Sequence, residues 1–144
     1  TLSCVRSVLT NLKELKIEPH DEIQMPFETF KEIFSVLFWQ PSCLQALNFS
    51  MDGIKSVGNQ EVKFLIEHLF QKAVNLKKIK LDLGTLKLGS EDLRGLLQSI
   101  TLLANNLEEL KLKLDEIDVP EEIFCEIMVK MVNIKVFKLS IKAS

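Results

Sequence analysis

The amino-acid sequence predicts an α/β solenoid in which a parallel sheet forms the concave face and helices form the convex face. A short motif recurs at a spacing close to 30 residues, and its first apolar position falls at 12, 44, 76, 107 and 134. Each recurrence begins with strand periodicity and continues with helix periodicity. Because a strand–helix–strand connection within one sheet gives parallel strands, we expect a parallel sheet. The five recurrences predict about four and a half repeats in a single domain covering residues 1–144, with repeats starting near 11, 43, 75, 106 and 133.

The first half of each repeat has the period of a β-strand with one buried face. In the third repeat Ile79, Leu81 and Leu83 alternate with Lys78, Lys80 and Asp82, and the other repeats follow the same pattern. An additional apolar residue follows the motif in most repeats, which predicts strands somewhat longer than the motif itself. These residues are Met51, Leu83, Leu114 and Ile141.

The second half of each repeat has the spacing of an amphipathic helix. Residues 1–10 have the same spacing, so we expect the end of a preceding helix there. Pro26 and Pro120 suit the first helical position, Asn59 and Ser90 are expected to cap the helices that follow them, and asparagines just before the strands are expected to end helices. The four apolar stripes are Phe27, Phe30, Phe34, Leu37 and Phe38; Val62, Leu65, Ile66, Leu69 and Phe70; Leu93, Leu96, Leu97, Ile100 and Leu103; and Ile123, Phe124, Ile127, Met128 and Met131.

The repeated string Asn/Cys-Leu-x-x-Leu-x-Leu resembles the leucine-rich repeat of the longer, helix-bearing type typified by ribonuclease inhibitor. The resemblance covers residues 11–141, although the asparagine usually found nine residues into that repeat is replaced here by His20, Asp52, Gly84, Asp115 and Lys142. It implies a non-catalytic protein–protein interaction module. It also suggests the C-terminal sensing or autoinhibitory region of a nucleotide-binding innate immune receptor, with a ubiquitin-ligase substrate adaptor, or a structural array packed on another domain of its own chain, as alternatives.

Composition and motifs favour a protein without enzymatic chemistry. The net charge of −2 gives no general attraction for nucleic acid, and the sequence has neither aromatic residues interleaved with the lysines for stacking nor an arginine cluster. No apolar run is long enough to cross a membrane. The three cysteines have no metal-binding or disulfide spacing, which favours reduced thiols in the cytoplasm. Nucleotide-binding, hydrolase and zinc-protease motifs are absent, so we expect no metal and no cofactor. His20 and His68 are interpreted as surface residues and Cys125 as a thiol at least half-buried in its helix.

The predicted binding surface is the outward side of the strands. Adjacent to one another across the sheet we expect Lys16, Asn48, Lys80, Lys111 and Lys138, with Lys78 and Lys113 in the flanking columns. Two interpretations remain open: a solvated face whose acids offset the lysines, and a docking surface for an acidic segment of a protein partner. Trp39, after the first helix, is a further candidate contact. Both ends of the sequence fall within repeats, which predicts an excerpt of a longer protein and self-association through uncapped ends.

Overall fold

A computed structural model describes residues 12–19, 23–51, 54–55, 58–83, 88–114, 119–131 and 133–140. The expected helix within residues 1–10 and the five residues at the atypical repeat position therefore lie outside the described residues. The elements, in chain order, are β1 (Glu14–Ile17), β2 (Ile23–Gln24), α1 (Phe27–Leu37), a 3₁₀ turn (Pro41–Cys43), β3 (Ala46–Ser50), β4 (Ile54–Lys55), α2 (Asn59–Leu65) continued by a π-helical turn (Ile66–Phe70), β5 (Lys78–Asp82), α3 (Ser90–Thr101), β6 (Glu109–Lys113), α4 (Glu121–Lys130) and β7 (Val136–Ser140).

The main sheet contains five parallel strands in the order β1-β3-β5-β6-β7. Corresponding residues of successive repeats are paired, so that Leu47 lies beside Ile79 and Ile79 beside Leu110. At each junction one carbonyl accepts two backbone N–H groups of the next repeat, as Gln45 does from Lys77 at 2.8 Å and Lys78 at 3.1 Å. The α/β leucine-rich-repeat solenoid predicted from the sequence is confirmed.

The core lies between the sheet and the helices. The inward residues of β3, β5 and β6 and most residues of the apolar helix stripes are buried in it, and Met51, Leu83 and Leu114 join them immediately after the strands. The inward residues of β1 and β7 are partly buried, and Met128 of the predicted fourth stripe is exposed. The N–H of Met51 donates to Asp82 and that of Leu83 to Lys113, both at 2.9 Å, which continues the interstrand ladder by one residue. At these three positions the hydrogen bonds and the burial extend one residue beyond the strands, as predicted. The fourth predicted position, Ile141, lies outside the described residues.

Helix α1 contributes a phenylalanine cluster to this core. The Phe34 ring centroid lies 4.3 Å from that of Phe30 and 5.3 Å from that of Phe49 on β3, and Phe38 is 6.4 Å from Phe49. Such ring pairs add about 0.5–1.5 kcal/mol each beyond the burial of their area. The phenylalanines of this helix thus serve packing between the helix layer and the sheet.

Two local predictions about helix starts were wrong. Neither Asn59 nor Ser90 caps its helix, because each is the first helical residue and is preceded by a glycine, and no side-chain capping bond is present. At α2 the N–H of Gly58 instead donates to the carboxylate of Glu61 at 2.9 Å. Pro26 and Pro120 stand immediately before α1 and α4, at the N-cap and one residue ahead of the first helical position expected for them.

A second, two-stranded parallel sheet pairs β2 with β4. Its strands follow β1 and β3 in the chain and so belong to the first two repeats. No pattern in the sequence predicts this sheet. None of the described helices is long and apolar enough to cross a membrane.

Candidate functional site

The concave face is formed by the outward side chains of the five strands. The register places Lys16, Asn48, Lys80, Lys111 and Lys138 in one row across the sheet, as the sequence predicts. The flanking rows contain Lys78, beside Ala46 and Glu109, and Lys113, beside Asp82 and Ser140. We call these three rows the lysine face. Their inward neighbours are buried apolar residues, so the rigid core fixes where the lysine backbone atoms lie.

The lysine face carries positive charge on a chain whose net charge is negative. Six lysines and four carboxylates, those of Glu14, Glu18, Asp82 and Glu109, give it a net charge of +2, against −2 for the whole chain. The charge is unevenly distributed. Strands β5 to β7 hold five of the lysines and two of the acids, whereas β1 and the residue after it hold one lysine and two acids. The face is therefore basic at one end and weakly acidic at the other.

Ion pairs neutralise some of these lysines. The Nζ atom of Lys111 lies 3.0 Å from Glu109, that of Lys16 lies 3.3 Å from Glu18, and that of Lys113 lies 4.0 Å from Asp82. The hydrogen bond from Lys111, aided by the positive charges of Lys78 and Lys138, lowers the pKa of the Glu109 carboxyl below its ordinary value of 4.5.

Lys80 and Lys138 have no ion-pair partner within 4.0 Å in the part of the chain that the structure describes. Adjacent strands are about 4.8 Å apart, so Lys80, Lys111 and Lys138 repel one another unless anions lie between them. The positive charges of Lys80 and Lys138 are consequently available to a negatively charged partner, whereas that of Lys111, which lies between them, is shared with Glu109.

Two shallow depressions lie on the lysine face. One, of about 470 Å³, lies over β1, β3, β5 and β6, and the other, of about 350 Å³, lies over β5, β6 and β7. Both are lined by Lys80 and Lys111. The two depressions meet at these lysines, the first on the side of the row that contains Lys78 and Glu109 and the second on the side of the row that contains Asp82 and Lys113.

Trp39 does not belong to this face. It lies between the end of α1 and the 3₁₀ turn at Pro41–Cys43, its side chain is 44% exposed, and it lines neither depression. The expected exposure is therefore present, but Trp39 could only contribute to a separate contact.

Groups capable of nucleophilic or metal chemistry are dispersed. Cys43 and Cys125 are free thiols, and no cluster of three metal-binding side chains occurs among the described residues. Cys125 is exposed, contrary to the expected burial, because Ile123 and Ile127 rather than Cys125 occupy the inward side of α4. His68 is exposed and stacks on Phe64, with ring centroids 4.3 Å apart. His20 lies outside the described residues.

Two asparagines that precede strands form hydrogen bonds between repeats, a role beyond the helix ends expected from the sequence. The side-chain amide of Asn75 donates to the Ser42 carbonyl at 2.7 Å, and that of Asn106 donates to the Val74 carbonyl at 3.0 Å. Each bond joins one repeat to the preceding repeat. The recurrence of asparagine at a fixed repeat position was the available signal, because the same side chain in successive copies can donate the same bond to a backbone carbonyl of the preceding copy.

Several solved structures share this fold, among them domains of tropomodulin and leiomodin-1. The C-terminal domain of tropomodulin from Caenorhabditis elegans is 17% identical, with a TM-score of 0.62 over 96% of this chain and 80% of that chain. Actin-binding site 2 of leiomodin-1 is 12% identical, with a TM-score of 0.63 over 99% of this chain and 78% of that chain. No protein-family model matches the sequence, and no curated protein matches it.

These structures correct the prediction of the class of protein to which the repeats belong. The prediction of a C-terminal region of a nucleotide-binding immune receptor is wrong, since the similar domains are those of tropomodulin and leiomodin-1. Neither belongs to a ubiquitin-ligase adaptor. The physical reason for the error is that the Leu-x-x-Leu-x-Leu spacing reports how a strand is buried, and this spacing is shared by solenoids with unrelated partners.

Proposed function

We propose that this chain is a non-catalytic protein-interaction module that binds an acidic surface of a protein partner with its lysine face. The observation that carries the proposal is the row of Lys80, Lys111 and Lys138, which the strand register holds side by side on an otherwise net-negative chain. A charged row on a rigid sheet provides electrostatic complementarity, which increases association rate and selects partners of opposite charge.

Actin is the first partner to test. The leiomodin-1 domain with this fold is an actin-binding site, which supports a protein ligand for the solenoid without specifying the residues that contact it. The low sequence identity leaves the choice of partner to experiment.

The test compares charge reversal on the two faces of the solenoid. In cosedimentation with actin filaments, we expect Lys80→Glu/Lys111→Glu to weaken binding by about tenfold or more, from two lost ion pairs and two new repulsions. The matched control, Lys63→Glu/Lys130→Glu, makes the same charge change at exposed positions of α2 and α4, and we expect it to bind like the unmodified chain.

The outcomes separate the alternatives. Equal loss in both variants indicates an effect of net charge alone and contradicts the lysine face as the site. Binding that neither variant alters contradicts it as well, and an absence of binding by the unmodified chain rules out actin as the partner. Binding that weakens with salt only in the chain with an intact lysine row supports the proposal.

A second candidate function is a structural array that packs on another domain of its own chain. The observation that favours it is the exposure of apolar side chains on α4 and β7, the last two described elements: Met128 and Val129 on the helix and Val136 on the strand. The side chain of Val129 is 76% exposed in this chain. If it packs on another domain, Val129→Ser should lower the stability of a protein that contains both domains and leave the stability of the isolated chain unchanged.

A further inference from the structure

The spacing of the charges on the lysine face restricts the shape of an acidic partner. Lys80, Lys111 and Lys138 occupy equivalent positions on three adjacent parallel strands. With strands about 4.8 Å apart, the three lysine Cα atoms lie at about 0, 4.8 and 9.6 Å along a line that crosses the sheet. A partner segment that pairs with all three must present carboxylates at a similar interval.

An α-helix presents side chains at this interval, whereas an extended strand does not. Residues i, i+3 and i+7 of a helix lie on one side at about 0, 4.5 and 10.5 Å along the axis, within about 1 Å of the lysine positions. Alternate residues on one face of a strand lie at about 0, 6.8 and 13.6 Å, and the third is displaced by about 4 Å. The row therefore matches a helix that lies across the strands.

The width of the face agrees with this occupant. Lys78 and Asp82 are four residues apart on β5 and belong to the two flanking rows, so the rows are separated by about 13 Å. A helix with its side chains is about 10–12 Å across. The two depressions lie on either side of the lysine row and both include Lys80 and Lys111, so a helix seated on the row would cover part of each.

We infer that the segment bound by the lysine face is an acidic amphipathic α-helix that crosses the strands, with carboxylates at i, i+3 or i+4, and i+7 seated over Lys80, Lys111 and Lys138. This inference rests on the proposed function and specifies its partner. The distribution of charge on the lysine face also sets the direction of the bound helix. The carboxylates of the partner lie over the lysines of β5 to β7. The N-terminus of the partner helix, which is the positive end of its dipole, lies toward Glu14 and Glu18 of the first repeat. Spanning from β1 to β7 takes about 19 Å, or about 13 helical residues.

The test uses three synthetic peptides of one composition, in which three glutamates are set in an alanine- and glutamine-rich background. The first has the glutamates at i, i+3 and i+7 near its C-terminus, the second has them spread around the helix, and the third has the first peptide's order with a D-amino-acid pair that prevents a helix. Circular dichroism establishes which peptides are helical, and fluorescence anisotropy measures binding to the whole chain at low salt.

We expect the first peptide to bind at least about tenfold more tightly than the other two, the equivalent of two or three matched ion pairs. Lys80→Glu/Lys111→Glu should abolish this difference, as should the milder Lys111→Gln/Lys138→Gln, while Lys63→Glu/Lys130→Glu should retain it. Thermal unfolding of each variant confirms that it is folded.

Several results would overturn the inference. Equal binding of all three peptides would show attraction without geometric matching, and tighter binding of the non-helical peptide would indicate an extended partner. Equally tight binding of a single-stranded oligonucleotide of the same charge would indicate a general polyanion site. If no peptide binds while Lys80→Glu/Lys111→Glu still weakens binding of a whole protein partner, the helix is wrong and the interaction module stands.

Discussion

The same substitution at two adjacent residues of one strand should lower the stability of the chain strongly at the first and hardly at the second. Leu81 and Lys80 are neighbours on β5, but Leu81 is 1% exposed and faces the core, whereas Lys80 is exposed on the concave side. We predict that Leu81→Ala lowers the free energy of unfolding by about 2–5 kcal/mol, because it removes buried apolar contacts and leaves a cavity. At a typical domain stability of about 5–15 kcal/mol, Leu81→Asp, which also buries a carboxyl without a partner, should prevent cooperative folding.

The matched change at Lys80 should be nearly neutral. Lys80→Asp relieves repulsion within the lysine row and introduces a residue with poor strand propensity, and the second effect is limited to about 1 kcal/mol. Urea unfolding followed by circular dichroism measures both variants against the unmodified chain. Equal destabilisation at the two positions, or a Leu81→Asp variant that melts like the unmodified chain, would refute the assignment of the two faces of β5.

Three further substitutions test interactions that the structure specifies. Phe49→Ala should lower stability by about 3–5 kcal/mol because its ring is fully buried against α1, as chemical denaturation would show. Asn106→Ala should cost about 0.5–1.5 kcal/mol through the lost bond to the preceding repeat, whereas the adjacent Asn105→Ala should not; equal effects would contradict the inter-repeat role. The pKa of Glu109 is lower in the folded chain than its ordinary value of 4.5, so its stabilisation is present above pH 4.5 and disappears as the pH falls through the folded pKa. Unfolding from pH 7 to pH 3 should show the difference between the unmodified chain and Glu109→Gln shrinking on acidification; a constant difference would contradict it.

The sequence predicts most of the fold because burial has a period that can be counted. The alternation around Ile79 and its equivalents fixes which side chains face inward, and the repeat spacing fixes which residues lie side by side, so the lysine row follows from the sequence alone. The two-stranded sheet of β2 and β4 could not be predicted in this way, because two residues are too few to show a period.

The finer features of the surface depend on three-dimensional placement. The interval between Glu109 and Lys111 puts them on the same side of a strand, but only coordinates show that Lys111 pairs with Glu109 while Lys80 pairs with no described acid. The exposure of Cys125 depends on how α4 is rotated against α3 and was predicted incorrectly. The partner could not be predicted either, since repeat spacing encodes packing and carries no information about a ligand.

The most direct test of the account is a cross-linking measurement of strand register, since the lysine row exists only if β5 and β6 pair as described. In a background with Cys4, Cys43 and Cys125 changed to serine, the pair Lys80→Cys/Lys111→Cys places two thiols on directly opposed residues, about 4.8 Å apart at Cα, within the range that a disulfide spans. The control pair, Lys80→Cys/Leu112→Cys, places them on opposite faces of the sheet. We predict that the first pair oxidises intramolecularly faster than the second; equal or faster oxidation of the second pair would contradict the described register.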